Sequence, residues 1–194
     1  MSCIAKGWKM EKDFEKIQKI INFKDKSKLI ILTGEILSGK TKMMIKLLKE
    51  ALQKNEFVVF YCFEMNKTNV IQTLDCNISN VIINDKASRR KFFVEDILKD
   101  CEKINKYQKI DWIMIDGVFE LQTKENYVLG QGDINSIILK KLKKTAQNLN
   151  IPIIVTAISG KKSKEEFYDK SKIILKDFCK KEMAEEFVDE IIRV

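Results

Sequence analysis

The run Gly34, Glu35, Ile36, Leu37, Ser38, Gly39, Lys40, Thr41 sets two glycines, a lysine and a threonine at the spacing G-x-x-x-x-G-K-[ST]. These residue types at this spacing suit the cradling of a nucleotide phosphate chain. The glycines let the backbone turn sharply and aim its N–H groups inward. A helix beginning near Lys40 adds its positive dipole end at the same place. The lysine reaches the β- and γ-phosphates and the threonine hydroxyl ligates Mg²⁺. ATP and Mg²⁺ are therefore the expected cofactors, with residues 34–41 as the nucleotide loop.

Two carboxylates complete the expected chemistry. Asp116 ends the apolar run "WIMID", where a phosphate-loop site needs an acid to hold Mg²⁺ through water. Glu64 follows "VVFYCF". A carboxylate at that point can act as general base on an attacking water. Its position alone fits a solvated loop glutamate equally well.

Such residues work only if regular elements deliver them to one place. "KLIILT" at residues 28–33 is a continuous apolar run ending at a glycine, as a buried parallel strand requires. Met44, Ile45, Leu48, Ala51 and Leu52 then mark one helix face. Further strands are predicted at residues 57–63, 81–83, 111–116 and 151–157, and a last one at 188–194. Helical periodicity spans residues 91–105 and 134–149. Phe14, Ile17, Ile20 and Ile21 predict a short amphipathic helix, so residues 1–27 read as a helical extension and 28–194 as one domain. Strands alternating with helices imply an α/β fold, a mostly parallel sheet covered on both faces with all strand carboxyl ends on one edge.

The totals narrow the class. The chain has 194 residues, 45% hydrophobic and 33% charged, a globular balance. It contains no histidine, which removes histidine-based triads and makes a zinc site improbable. Its five cysteines (Cys3, Cys62, Cys76, Cys101, Cys179) form no C-x-x-C pair, so reduced thiols are expected. No apolar run reaches membrane-spanning length, and the N-terminus has no apolar signal core, which points to the cytoplasm and no membrane partner. The net charge of +8 fits either a solvated lysine surface or attraction to a polyanion.

Taken in order, these segments resemble the C-terminal ATPase domain of the DnaB-type replicative DNA helicases, a RecA-like P-loop class. "LIILTGEILSGKT" is similar to that family's strand and P-loop, and "VVFYCFEM" to its strand ending in Ser-Leu-Glu-Met. "VIINDKAS", "IDWIMIDGVFELQ", "ILKKLKKTAQNLNIPIIVTAIS" and "KDFCKKEMAEEFVDEIIRV" resemble the segments that follow in the family. The resemblance implies a three-layer RecA-like fold. It gives Glu64 the role of catalytic base, Lys40 that of phosphate ligand, and Thr41 and Asp116 the Mg²⁺. It further implies single-stranded DNA as a partner and oligomers, with the site at a subunit interface.

The departures shape the expectation. Ile158 stands where the family has a glutamine that senses the γ-phosphate, and Cys179 where it has an arginine. The chain reaches Val194 without the family's arginine-finger hairpin and begins without its primase-binding domain. Arg89, Arg90 and Arg193 are the only arginines. Fingers contribute about 10³–10⁵ in turnover, so the expectation is a reduced helicase relative with slow hydrolysis. In the family the loops after the Asp116-type strand and the fifth strand face DNA. Here they carry Lys124 and then Lys161, Lys162 and Lys164, which could neutralise phosphates or be solvated surface lysines. The competing reading is a nucleotide-binding regulator or loader that partners a full-length helicase. A small-substrate kinase is disfavoured by the scarcity of arginine.

Overall fold

Every residue of β1 (Leu29–Gly34) is buried, and the reason is visible in where alternate side chains go. In the computed structural model, which describes residues 15, 26–88, 91–125, 131–158 and 187–194, Leu29 and Ile31 enter one core cluster while Ile30 and Leu32 enter another. A strand with apolar contacts on both faces must read as a continuous hydrophobic run.

The chain continues through α1 (Lys40–Gln53), β2 (Val58–Cys62), α2 (Lys67–Leu74) and β3 (Val81–Asp85). Then come β4 (Phe92–Phe93), α3 (Val94–Tyr107), β5 (Trp112–Asp116), a 3₁₀ turn (Val118–Glu120) and β6 (Leu121–Gln122). The last described elements are α4 (Gln131–Leu149), β7 (Ile153–Ile158) and β8 (Glu190–Arg193). Among the described residues six strands form one sheet in the order β3-β2-β5-β7-β1-β8, and every pairing there is parallel. β4 and β6 form a separate two-residue parallel pair.

The sheet divides the core into two halves. On one face Met44, Leu48 and Leu52 of α1, with Val70 and Leu74 of α2, meet Ile30, Val58 and Phe60. On the other, Val94, Ile97 and Cys101 of α3, with Ile138, Leu142 and Ala146 of α4, meet Leu29, Val59 and Ile113. The result is the three-layer α/β fold with a parallel sheet that the periodicity predicts. The chain leaves β1 toward one face and β5 toward the other. A crevice therefore opens between these strands at the carboxyl edge, the usual ligand position in such sheets.

Register makes that edge level. Gly34 pairs with Ile158, Cys62 with Asp116, and Ile115 with Val155. Local caps hold the connections. Asn66 Oδ1 accepts from Asn69 N at 2.8 Å to start α2, and Asp85 Oδ2 accepts from Lys67 N at 2.8 Å. Asp189 ties the incoming β8 to the sheet by accepting from Leu29 N at 2.6 Å while pairing with Lys143 at 2.5 Å.

The predicted strands all occur, with ends shifted by one or two residues. Those at 57–63, 111–116 and 188–194 are shorter than predicted, the one at 81–83 runs on to Asp85, and those at 28–33 and 151–157 start later and run one residue further. Asp111 lies just before β5 and uses its carboxylate to accept from Phe57 N at 3.0 Å. The short α2 and the β4–β6 pair have no counterpart in the sequence expectations. The predicted helix at residues 12–22 lies outside the described residues except for Glu15, which is helical.

Ile154 is fully buried in β7, which lies between β1 and β5. Ile154→Ala is expected to cost about 2–5 kcal/mol, read as a lower urea midpoint at unchanged slope.

Candidate functional site

The carboxyl ends of β1, β2, β5 and β7 deliver residues to one cavity of about 310 Å³. It is lined by Ile36, Leu37, Gly39, Lys40, Thr41, Glu64, Asp116, Thr156 and Ile158. Lys40, Thr41, Glu64 and Asp116, separated by up to 76 positions in sequence, are thus brought together as expected. Thr156 is an addition.

The loop between β1 and α1 turns on two glycines for two different reasons. Gly39 caps α1 with φ of 100°, a left-handed conformation that favours glycine. At Gly34 the constraint is space. A Cβ there would sit 2.3 Å from Ser38 Oγ and 2.7 Å from the Val194 carbonyl oxygen, closer than atoms can stand. β8 therefore packs against the root of the loop, and Val194 N donates to Thr33 O at 2.8 Å. Leu37, at the loop tip, takes φ of 64° and is 98% exposed.

Lys40 begins α1 and folds its side chain back along the loop. Its ammonium donates to Gly34 O at 3.0 Å and Glu35 O at 2.7 Å. Burial pulls its pKa below the usual lysine range, partly offset by the charges of Glu64 and Asp116. A partly desolvated cation held by neutral carbonyls is ready to exchange them for a stronger anionic partner.

Asp116 is fully buried at the end of β5. Burial raises its pKa, and the Glu64 charge adds to the rise. The hydroxyls of Thr156 and Thr41 and the charge of Lys40 oppose it. Its Oδ1 accepts from Thr156 Oγ1 at 2.8 Å. Its Oδ2 is buried with no hydrogen-bond partner among the described residues. A buried carboxylate oxygen left over in a cavity that also holds a threonine hydroxyl suits a hard cation.

Mg²⁺ fits these donors. Among the described residues no cluster of three or more His, Cys, Asp or Glu surrounds a metal-sized space. Mg²⁺ bound with a nucleotide needs no such cage, since waters and phosphates supply most of its ligands. Thr41 and Asp116 are the residues that would hold it.

Glu64 stands two residues beyond β2, exposed at the cavity rim. It lies next to the backbone of Gly117. Gly117, with φ of 102°, has Phe63 Cβ and Glu64 Oε1 at 3.4 and 3.5 Å from where a Cβ would sit. Phe63 N also donates to Asp116 O at 3.0 Å. Cys62, beside Asp116 in the register, has its thiol pushed up to about 12 by burial and the charges of Asp85 and Asp116, so it stays protonated.

The lysines expected to meet nucleic acid are placed less fully. Lys124 does not line the cavity. Its ammonium pairs with Asp96 at 2.5 Å and lies 5.6 Å from the Phe93 ring centroid. Beside it Glu95 is held below the usual carboxylate range: burial would raise it, but hydrogen bonds from Lys141 and Thr123 outweigh that. Lys161, Lys162 and Lys164 lie outside the described residues, as does Cys179. Thr156 and Gly117 escaped the sequence reading. A single hydroxyl inside the otherwise apolar buried run "IIVTAI" was the available signal.

No family model and no curated protein matches the chain. Solved structures do. One of them, an isolated ATPase domain, superposes with a TM-score of 0.68 at 18% identity, covering 87% of this chain and 69% of that one. A DnaB-like replicative helicase, studied with its primase interactions, superposes with a TM-score of 0.61 at 17% identity, covering 77% of this chain. This chain spans 44% of that helicase's length. The RecA-like architecture of these ATPase domains is therefore the architecture of this chain, as its motif order suggested.

Because burial raises the folded-state pKa of Asp116, the native state holds that proton more tightly than the unfolded chain does. The stability this group contributes is complete in acid and is lost as pH rises through the folded pKa. Asn mimics the protonated form. Asp116→Asn is expected to raise the Tm of the ligand-free protein at neutral pH, with the gain shrinking in acid, as followed by thermal unfolding.

Proposed function

We propose that the chain binds ATP with Mg²⁺ and hydrolyses it slowly, as a reduced DnaB helicase-like domain acting on DNA in replication. The observation that carries this reading is the convergence of Lys40, Thr41, Glu64 and Asp116 on one cavity at the carboxyl edge of a RecA-like sheet.

Each residue has a role its surroundings support. The loop N–H groups and the start of α1 receive the phosphates. Lys40 leaves the carbonyls of Gly34 and Glu35 and pairs with the β- and γ-phosphate oxygens. The Thr41 hydroxyl and Oδ2 of Asp116 would hold Mg²⁺, the latter through water. When bound, Mg²⁺ neutralises charge on the phosphates. Glu64, at the wet rim, accepts a proton from the attacking water.

Slow turnover follows from what surrounds the transferred phosphate. Ile158 lines the cavity at the place where the helicase family carries its polar sensor. No arginine lines it among the described residues. A missing cation of that kind costs about 10³–10⁵ in rate. The same two facts favour the second reading, a nucleotide-gated regulator or loader of a full-length helicase. DNA contact through Lys124, Lys161, Lys162 and Lys164 belongs to the proposal. The Lys124–Asp96 pair is half exposed and therefore weak, so a DNA phosphate can displace Asp96. Oligomerisation, and residence in the cytoplasm, belong to it equally.

The test is ATP turnover by the purified chain with and without single-stranded DNA. Turnover is expected to be slow, to require Mg²⁺, and to vanish in Lys40→Ala. DNA affinity is expected to fall steeply with salt. Fast DNA-stimulated turnover would contradict the reduced-motor reading, and phosphate release unaffected by Lys40→Ala would contradict the site.

A further inference from the structure

We infer that Thr156 is a positioning residue whose hydroxyl fixes the metal-holding carboxylate of Asp116 and the turn beneath Glu64 together. This rests on the nucleotide-site reading above.

The bonding pattern has one solution. Gly117 N lies 2.7 Å from Thr156 Oγ1, and a backbone N–H can only donate. The hydroxyl accepts that proton, so its own proton goes to Asp116 Oδ1 at 2.8 Å. Thr156 is 2% exposed and Asp116 fully buried, so water does not compete for either bond. With Oδ1 committed, the carboxylate cannot rotate freely, and Oδ2 is the oxygen left with lone pairs to offer.

The same hydroxyl holds the backbone that neighbours the base. Its bond to Gly117 N anchors the left-handed residue after Asp116, whose Cα faces the Glu64 carboxylate. Sheet register places Thr156 there, since Val155 pairs with Ile115 and the next residues along the two strands are Thr156 and Asp116. The branched side chain also suits the strand and leaves χ1 little freedom, which pre-sets the hydroxyl. Serine keeps the two bonds, and valine keeps the shape without them.

The test uses the full chain and the fluorescent nucleotide mant-ATP, with binding measured in EDTA and in Mg²⁺. In EDTA, Thr156→Val is expected to bind within about twofold of wild type, because the loop and Lys40 are untouched. The gain in affinity that Mg²⁺ gives wild type is expected to fall about 10-fold or more in Thr156→Val, the usual range for the partner of a metal-holding carboxylate. Thr156→Ser is expected to recover most of it. Thr156→Cys, which offers a much weaker donor, is expected to lose it in the same direction and serves if the valine variant does not fold. A full Mg²⁺ gain in a folded valine or cysteine variant would overturn the assignment. Equal losses with and without Mg²⁺, unrescued by serine, would also overturn it, as the mark of a merely structural role. If wild type itself binds no mant-ATP, the nucleotide-site reading fails first and takes this assignment with it.

Discussion

The level carboxyl edge of the parallel sheet is the constraint on which the site depends. β7 lies between β1 and β5, and β2 pairs with the far side of β5. A slip of one residue in any of these pairings would turn that strand's side chains to the opposite face. Asp116 would then leave Thr156, and the two halves of the core would exchange partners along that strand. The register is fixed because both faces are buried, each against its own pair of helices. Packing of residues such as Ile30, Phe60 and Ile113 thus holds the distances among groups that never touch them.

The energetics of the edge are less favourable than those of the core, and this bears on function. Burial penalises the charged forms of both Lys40 and Asp116. Their mutual attraction and the Thr156 hydrogen bond recover part of that cost, and among the described residues one carboxylate oxygen remains unsatisfied. A protein selected for stability alone would place apolar residues here. A bound cation and phosphate chain would satisfy the groups that the protein leaves wanting. The exposed Leu37 and Ile36 at the loop tip, with Ile158 opposite, give the cavity an apolar rim.

Much of this was legible in the residues themselves. The largely apolar runs read at residues 28–33, 57–63 and 111–116 announce buried strands, and the glycine–lysine–threonine spacing announces the loop between the first of them and α1. The motif order carried the RecA-like architecture even though pairwise identity to the solved structures is only 17–18%. What stayed hidden depends on tertiary placement. Gly34 looks like a turn residue, but its need comes from Val194, 160 positions away. Thr156 looks like one polar residue in a strand until the register sets it beside Asp116. The pair β4–β6 joins two-residue segments too short to show any period.

The most direct measurement is calorimetric titration of the full chain with a non-hydrolysable ATP analogue and Mg²⁺, beside Lys40→Ala and Asp116→Ala. The account expects one nucleotide per chain, binding lost in the lysine variant, and only the Mg²⁺-dependent part lost in the aspartate variant. Absence of binding, or binding indifferent to both substitutions, would contradict it.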